Sequence, residues 1–204
     1  MTDQFSLFTA SPSPAAATAL APPAPGRSCD LFFALLPAPE DAHRISEQAA
    51  VLRESLGLDE RAVVGAQRLH VSLHSLGSHG AVPDSELSSA LAAASQLKSS
   101  PFDVCFDRVL TYGRGETKAL VLDSTAPMTA LHAFHRQLGM ALADAGMPAK
   151  RTFTPHMTLS RYDAEVPAQA LVAPLCWCAR RLVLIWSHVG RTRYELAGEW
   201  PLGA

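Results

Sequence analysis

Two short segments carry side chains that could share one reaction. Leu69-His70-Val71-Ser72-Leu73 and Pro155-His156-Met157-Thr158-Leu159 each place a histidine two residues before a hydroxyl, with apolar residues between and after. On a strand, residues i and i+2 project from one face, so each imidazole and hydroxyl would point into one space while their neighbours pack inward. With 8 His and 29 Ser plus Thr in 204 residues, chance supplies about one His-x-Ser/Thr. The matching apolar flanks and equivalent placement therefore carry the inference, not the count. Imidazole titrates near pH 6.5, so one ring can act as a base while the other acts as an acid. Facing each other across a cleft, the pair could move one proton in and one out at a phosphorus centre. Ser72 and Thr158 could donate to the non-bridging oxygens as charge builds there. No Asp/Glu cluster stands at ligand spacing, so the chemistry is expected to need neither metal nor cofactor.

The surrounding pattern supplies elements to hold these groups. Asp30 to Leu36 is an apolar run stopped by Pro37 and reads as a buried strand. Pro39 opens a helix with Ile45, Ala49, Leu52 and Leu56 on one face and Gly57 as its stop. Gln67 to Leu76 alternates through the first motif; by parity His74 shares the face of His70 and is expected at the solvent-facing rim. Pro83 to Leu97 reads as helix, and Pro101 to Thr111 and Ala119 to Asp123 as strands. Met128 to Ala145 is helical, with Leu131, Phe134, Leu138 and Leu142 on one stripe and Gly146 as stop. Thr152 to Arg161 alternates around His156, and Arg181 to Val189 and Tyr194 to Trp200 read as closing strands. Strand–helix–strand units thus occur twice, each with one motif strand, which predicts an α+β fold of two pseudo-symmetric lobes. His132 and His135, three apart on a helix, are expected on its exposed face; His43, His79 and His188 have no evident partners.

Lys+Arg number 17 against 19 Asp+Glu, a net charge of -2, so a long phosphate backbone is not the expected partner. A short nucleotide or RNA end could still be held by a few arginines. Cys29, Cys105, Cys176 and Cys178 form no C-x-x-C pair, and buried reduced thiols in a reducing compartment are expected. No apolar run reaches the ~18 residues of a membrane span. MTDQFSLFTA lacks a basic opening, so a signal peptide is not expected and a cytoplasmic location is. Residues 1–28 are expected to form a disordered Ala/Pro/Ser-rich tail, with residues 29–204 as the folded domain. Within the tail, Gln4-Phe5-Ser6-Leu7-Phe8 resembles the bacterial sliding-clamp binding motif, with Phe5 where Leu is more usual. It implies docking through Gln4, Leu7 and Phe8, on only five residues.

The chain as a whole resembles the 2H phosphoesterases, in the branch named for 2'-5' RNA ligase and RNA 2',3'-cyclic phosphodiesterase. The resemblance runs from about Leu31 to Leu202. It rests on Leu31-Phe32-Phe33-Ala34-Leu35, Arg68 to Leu73 with Leu76-Gly77, Arg151 to Arg161, Ser187, and the Tyr194 to Leu202 segment. The motif histidines lie 156 − 70 = 86 residues apart. The resemblance implies a bilobal fold with antiparallel sheets flanking a central cleft, acting as a monomer on RNA or nucleotide 2',3'-cyclic phosphate ends and leaving a 2'-phosphate. It implies His70 as general acid and His156 as base, or the reverse, with Ser72, Thr158 and Arg161 as phosphate contacts and Arg151 as a further candidate. Ser72 stands where the family usually has Thr. Simple alternation sets Arg161 opposite His156, so its role requires the strand to bend or end after Leu159. Phe33, Tyr112 and Trp186 are candidate base-stacking residues, with core packing the default for each. Reversible 2'-5' ligation, small-nucleotide phosphodiesterase activity and a non-catalytic RNA-end binding module are the competing readings.

Overall fold

Eight strands and three helices are present in the computed structural model, which describes Leu20 and residues 28–58, 63–81, 83–113, 118–162, 165–188, 190 and 194–203. Gln4, Leu7 and Phe8 lie outside the described residues, as does nearly all of the 1–28 stretch. Leu20 and Ser28 lie inside, and Leu20 is half-buried against the main core.

Strand β1 (Cys29–Leu35) leads through Pro37 into helix α1 (Pro39–Ser55). Pro39 needs no amide partner in the first turn, and Glu40 and Asp41 suit the positive end of the helix. A short 3-10 turn (Ala66–Arg68) precedes β2 (Val71–His79), and α2 (Asp84–Ser95) follows. Then come β3 (Phe102–Tyr112), β4 (Lys118–Asp123), α3 (Thr129–Asp144), β5 (Met157–Tyr162), β6 (Gln169–Ala179), β7 (Arg181–His188) and β8 (Tyr194–Pro201). Gly57 (φ 65) and Gly146 (φ 74) end α1 and α3 in the left-handed region, where glycine carries no Cβ penalty.

The strands form two four-stranded antiparallel sheets, ordered β2-β1-β7-β8 and β5-β4-β3-β6. The repeated unit is β1-α1-β2 and β4-α3-β5, and each unit sets its motif strand at a sheet edge. The lobes are not the two halves of the chain, because β7 and β8 return to the first sheet. The sequence pattern did not delimit β6, whose outer half is largely exposed and lacks a continuous apolar face.

One large core joins Leu31, Phe33 and Leu35 of β1 to Ile45 of α1, Leu131 and Leu138 of α3, and Leu182 and Leu184 of β7. The predicted α3 stripe of Leu131, Phe134, Leu138 and Leu142 is buried throughout. A second, smaller cluster covers the other face of the first sheet: Ala34, Val183 and Ile185, with Phe32, Leu36 and Tyr194 against it.

The cysteines depart from expectation. Cys105 and Cys176 are directly opposed on β3 and β6, and they form a disulfide across the sheet. Cys176 is exposed and Cys105 half-buried, so these are not buried reduced thiols. Cys29 and Cys178 form no disulfide; Cys29 is buried with its Sγ against His188 Nδ1 (3.3 Å), and Cys178 is half-buried. Facing pairs in an antiparallel ladder bring Cβ atoms within bonding reach, and that pairing joins positions 71 residues apart. No helix among the described residues is long and apolar enough to cross a membrane.

Gly198 lets α2 lie close against β8. A Cβ there would sit 2.5 Å from the Trp200 ring and 2.8 Å from a Leu91 methyl. The Trp200 indole is itself held by a 3.0 Å hydrogen bond to Ser95 Oγ, so it cannot swing aside freely. Gly198→Ala should therefore destabilise the fold by about 1–3 kcal/mol, read as a lowered urea midpoint with unchanged slope.

Candidate active site

His70 and His156 each sit just ahead of a motif strand, after the last irregular residue. Each is held in the same way: Nδ1–H of His70 donates to the Arg68 carbonyl (2.7 Å), and Nδ1–H of His156 to the Thr154 carbonyl (2.8 Å). Spending Nδ1 on a carbonyl two residues back fixes the tautomer and leaves Nε2 free for chemistry. The two motifs are also tied to each other. Val64, shortly before the turn that carries Arg68, donates its amide to the Leu159 carbonyl of β5 (2.9 Å), and Val63 bridges to Ser160.

Which side chains share a face is decided by irregular pairing in each motif strand, at one place in β5 and two in β2. In β5, Val121 pairs with Thr158 and Leu120 with Ser160, so Leu159 has no residue opposite it. The bulge reverses the alternation, and Arg161, opposite Ala119, returns to the face that holds Thr158. This supplies the bend that Arg161 requires. In β2, Ala34 pairs with Ser72 but Phe32 with Ser75, so Leu73 and His74 stand where regular pairing has one residue. Ser72 shares the face of Phe32 and Ala34, whereas His74 is turned inward.

His74 is accordingly not at a solvent-facing rim: it is 1% exposed. Its ring stacks on His135 at 4.0 Å and donates through Nε2 to the His135 carbonyl (3.0 Å). Gly139 of α3 admits this ring, since a Cβ there would lie 3.1 Å from His74 Cε1. His135, expected on an exposed helix face, is 3% exposed. It stacks on Phe153 at 4.1 Å with planes 2° apart. His132 meets Phe153 edge-on. The three stacked rings thus run from the first motif strand, through α3, to the segment that carries His156.

The two histidines have unlike surroundings. His70 lies against Phe32 (5.3 Å between ring centroids) and edge-on to Tyr194 (5.7 Å), and the Arg68 guanidinium lies over Tyr194. Burial lowers the His70 pKa, and the nearby charges of His156, Arg68 and Arg161 lower it further, against the raising effect of the Arg68 carbonyl. His156 instead meets Tyr112 (5.2 Å), whose hydroxyl donates to Asp123 (2.8 Å). Arg108 donates to the same carboxylate oxygen (2.6 and 3.2 Å). Burial and the bond to Asp123 push the Tyr112 hydroxyl up to about 12. A cavity of about 320 Å3 opens beside this group.

The structure therefore brings His156 and Arg161 within electrostatic reach of His70, with Thr158 and Arg161 on one face of β5 and Ser72 on the face of β2 that holds Phe32 and Ala34 as partners. Arg151 is exposed at the bend ahead of Thr152, and no hydrogen bond, ion pair or ring contact joins it to either histidine among the described residues. Phe33 and Trp186 are core residues, 0% and 1% exposed. Phe32, Tyr194 and Arg68 are site residues that the sequence pattern did not single out. The alternation of β1 around Phe32 was the available signal for the first of them. The remaining histidines have partners: His43 with Glu47, His79 with Glu86, and His188 with both Cys29 and Glu195. Among the described residues no group of three or more His, Cys, Asp or Glu side chains could hold a metal ion.

One His-x-Ser/Thr strand at the edge of each of two opposed antiparallel sheets is the arrangement of a 2H phosphoesterase. A profile of the 2'-5' RNA ligase superfamily matches residues 39–191, and the chain belongs to that superfamily. Among solved structures it is similar to E. coli LigT in apo form, at 26% identity and a TM-score of 0.67, over 88% of this chain and 100% of that one. It is also similar to E. coli LigT complexed with 3'-AMP (23% identity, TM-score 0.70, 87% and 99% covered). A third likeness is to the TT0787 protein of Thermus thermophilus (20% identity, TM-score 0.64, 85% and 97% covered). No curated protein sequence matches the chain closely enough to be compared with it.

The ring stack has a measurable consequence. His135 is held down to about 4 by burial first and then by the neighbouring His74, whose own pKa burial also lowers. Between that value and the ~6.5 of an unfolded histidine, the unfolded chain binds more protons, so stability falls as pH falls. The His135 contribution should reach about 3 kcal/mol by pH 4. Urea midpoints measured from pH 7 to pH 4 should show that loss in the wild type, and His135→Phe should lack the His135 share of it.

Proposed function

We propose that the chain is a metal-independent phosphodiesterase that opens a terminal RNA or nucleotide 2',3'-cyclic phosphate to a 2'-phosphate. The observation that carries this reading is the matched fixing of His70 and His156 by carbonyls two residues upstream, on rings near enough for His156 to act electrostatically on His70. Water attacks phosphorus in line with the 3'-oxygen, the P–O3' bond breaks, and the P–O2' bond is kept. One imidazole takes the proton from water while the other delivers a proton to O3'. Ser72 and Thr158 donate to the non-bridging oxygens, and Arg161 adds the positive charge that the transition state needs.

The electrostatics support His70 as the base and His156 as the acid, the reverse of the order the family resemblance suggests first. A ring buried against Phe32 and Tyr194, with the Arg68 and Arg161 guanidiniums nearby, favours the neutral form that presents a bare Nε2. The E. coli LigT complex with 3'-AMP supports a nucleotide carrying phosphate on its ribose as the ligand class.

His70→Ala and His156→Ala should each lower kcat/KM by about 10²–10⁴-fold. Activity should rise with pH along an acid limb centred below pH 6.5, because the base must lose its proton and its pKa is lowered. EDTA should leave turnover unchanged. Product analysis on an oligonucleotide ending in a 2',3'-cyclic phosphate decides the reaction: a 2'-phosphate is expected, and a 3'-phosphate or chelator-sensitive turnover would rule the mechanism out.

A further inference from the structure

We propose that His135 is a positioning residue for His156: its stack on Phe153 sets the Thr154 carbonyl that fixes the His156 ring, an inference that rests on the function proposed above. The first motif has its own device for this task. Arg68, whose carbonyl holds His70, lies in a 3-10 turn closed by two main-chain bonds. Arg68 N–H donates to the Gly65 carbonyl (2.8 Å) and Leu69 N–H to the Ala66 carbonyl (3.1 Å). Ahead of His156, residues 151–154 lie outside helix and strand, and those turn bonds have no counterpart there among the described residues. Thr154 nevertheless presents its carbonyl 2.8 Å from His156 Nδ1.

What this segment has instead is the Phe153 ring. It lies flat on His135, 4.1 Å away with planes 2° apart, and His132, one turn earlier on α3, meets it edge-on at 5.4 Å. Flat and edge contacts together fix both the height and the rotation of the ring. His135 has little room to yield, because His74 stacks on it in turn and is held by the His135 carbonyl (3.0 Å). Between Phe153 and His156 the chain has little slack. Thr154 precedes a proline, which restricts it to extended backbone, and the Pro155 ring locks its own φ. Pro155 is also buried. A shift of the Phe153 ring therefore reaches the Thr154 carbonyl, and through it the hydrogen bond that decides which nitrogen of His156 carries the hydrogen. His135 is buried behind Phe153 and acts on the reaction only through that ring.

Three variants of the full chain test this. His135→Leu removes the flat face, His135→Phe restores it, and Phe153→Leu removes the contact from its other side. Phe153 is half-buried, so Phe153→Leu carries the test should His135→Leu fail to fold. Imidazole nitrogen chemical shifts of His156 in the unliganded protein, recorded where the ring is neutral, read its tautomer. The wild type and His135→Phe should hold the Nδ1–H form, whereas both leucine variants should show a mixture of the two forms. On an oligonucleotide ending in a 2',3'-cyclic phosphate, His135→Leu should lower kcat about tenfold with KM changed by less than about threefold. His135→Phe should restore kcat, and the double leucine variant should be no slower than the slower single one, because both remove one contact. A wild-type tautomer in the leucine variants, a kcat loss that His135→Phe does not restore, or losses that multiply in the double variant would each overturn the proposal. The tautomer is read without turnover, so the two readings fail separately. Loss of the Nδ1–H form in the leucine variants of a protein that does not cleave sinks the hydrolase alone, and an unchanged kcat in His135→Leu sinks the positioning role alone.

Discussion

The bond from each Nδ1–H to the carbonyl two residues upstream governs what this cleft can do. A neutral ring held at Nδ1 is a base at Nε2, and the same ring with a second proton is an acid there. The backbone supplies both fixing carbonyls, at Arg68 and Thr154, from irregular segments directly ahead of β2 and β5. Those segments are anchored in turn, one by the Val64–Leu159 hydrogen bond and the other by the Phe153 ring against His135.

Identical fixing does not make the rings equivalent, because the lobes surround them differently. The first sheet offers His70 an apolar shelf, with Ala34, Val183 and Ile185 beneath Phe32 and Tyr194. The second sheet offers His156 a polar network centred on Asp123, with Tyr112 as its outermost ring. Low polarity disfavours the charged form of His70, and neighbouring cations act in the same direction. A pseudo-symmetric scaffold thus gives two like groups unlike surroundings.

The stacked rings of His74, His135 and Phe153 join β2 to α3 and to the segment ahead of His156. His74 bonds to the backbone of α3, and burial lowers the pKa of both rings. The stack replaces what leucines could have provided by packing alone with a contact that has a fixed angle and height. It sets the approach of β2 to α3, and through Phe153 the path of the chain into His156.

Much of this was legible in the residues. The His-x-Ser/Thr segments, the helices with their proline starts and glycine stops, and the α3 stripe follow from local periodicity and backbone preference, which act over a few residues. The twofold strand–helix–strand order was legible for the same reason. What the sequence could not determine is whatever pairing decides. An extra residue in a strand shows only against a partner strand, so parity misplaced His74 and left Arg161 dependent on a bend, until β1 and β4 fixed the registers. The Cys105–Cys176 bond exists because β3 lies beside β6, and Phe32 and Tyr194 belong to the site because β8 closes the sheet that starts with the chain's first strand. Side-chain type and spacing determined the chemistry available; the register between distant strands determined which groups share the cleft, because a shift of one residue moves every later side chain to the opposite face.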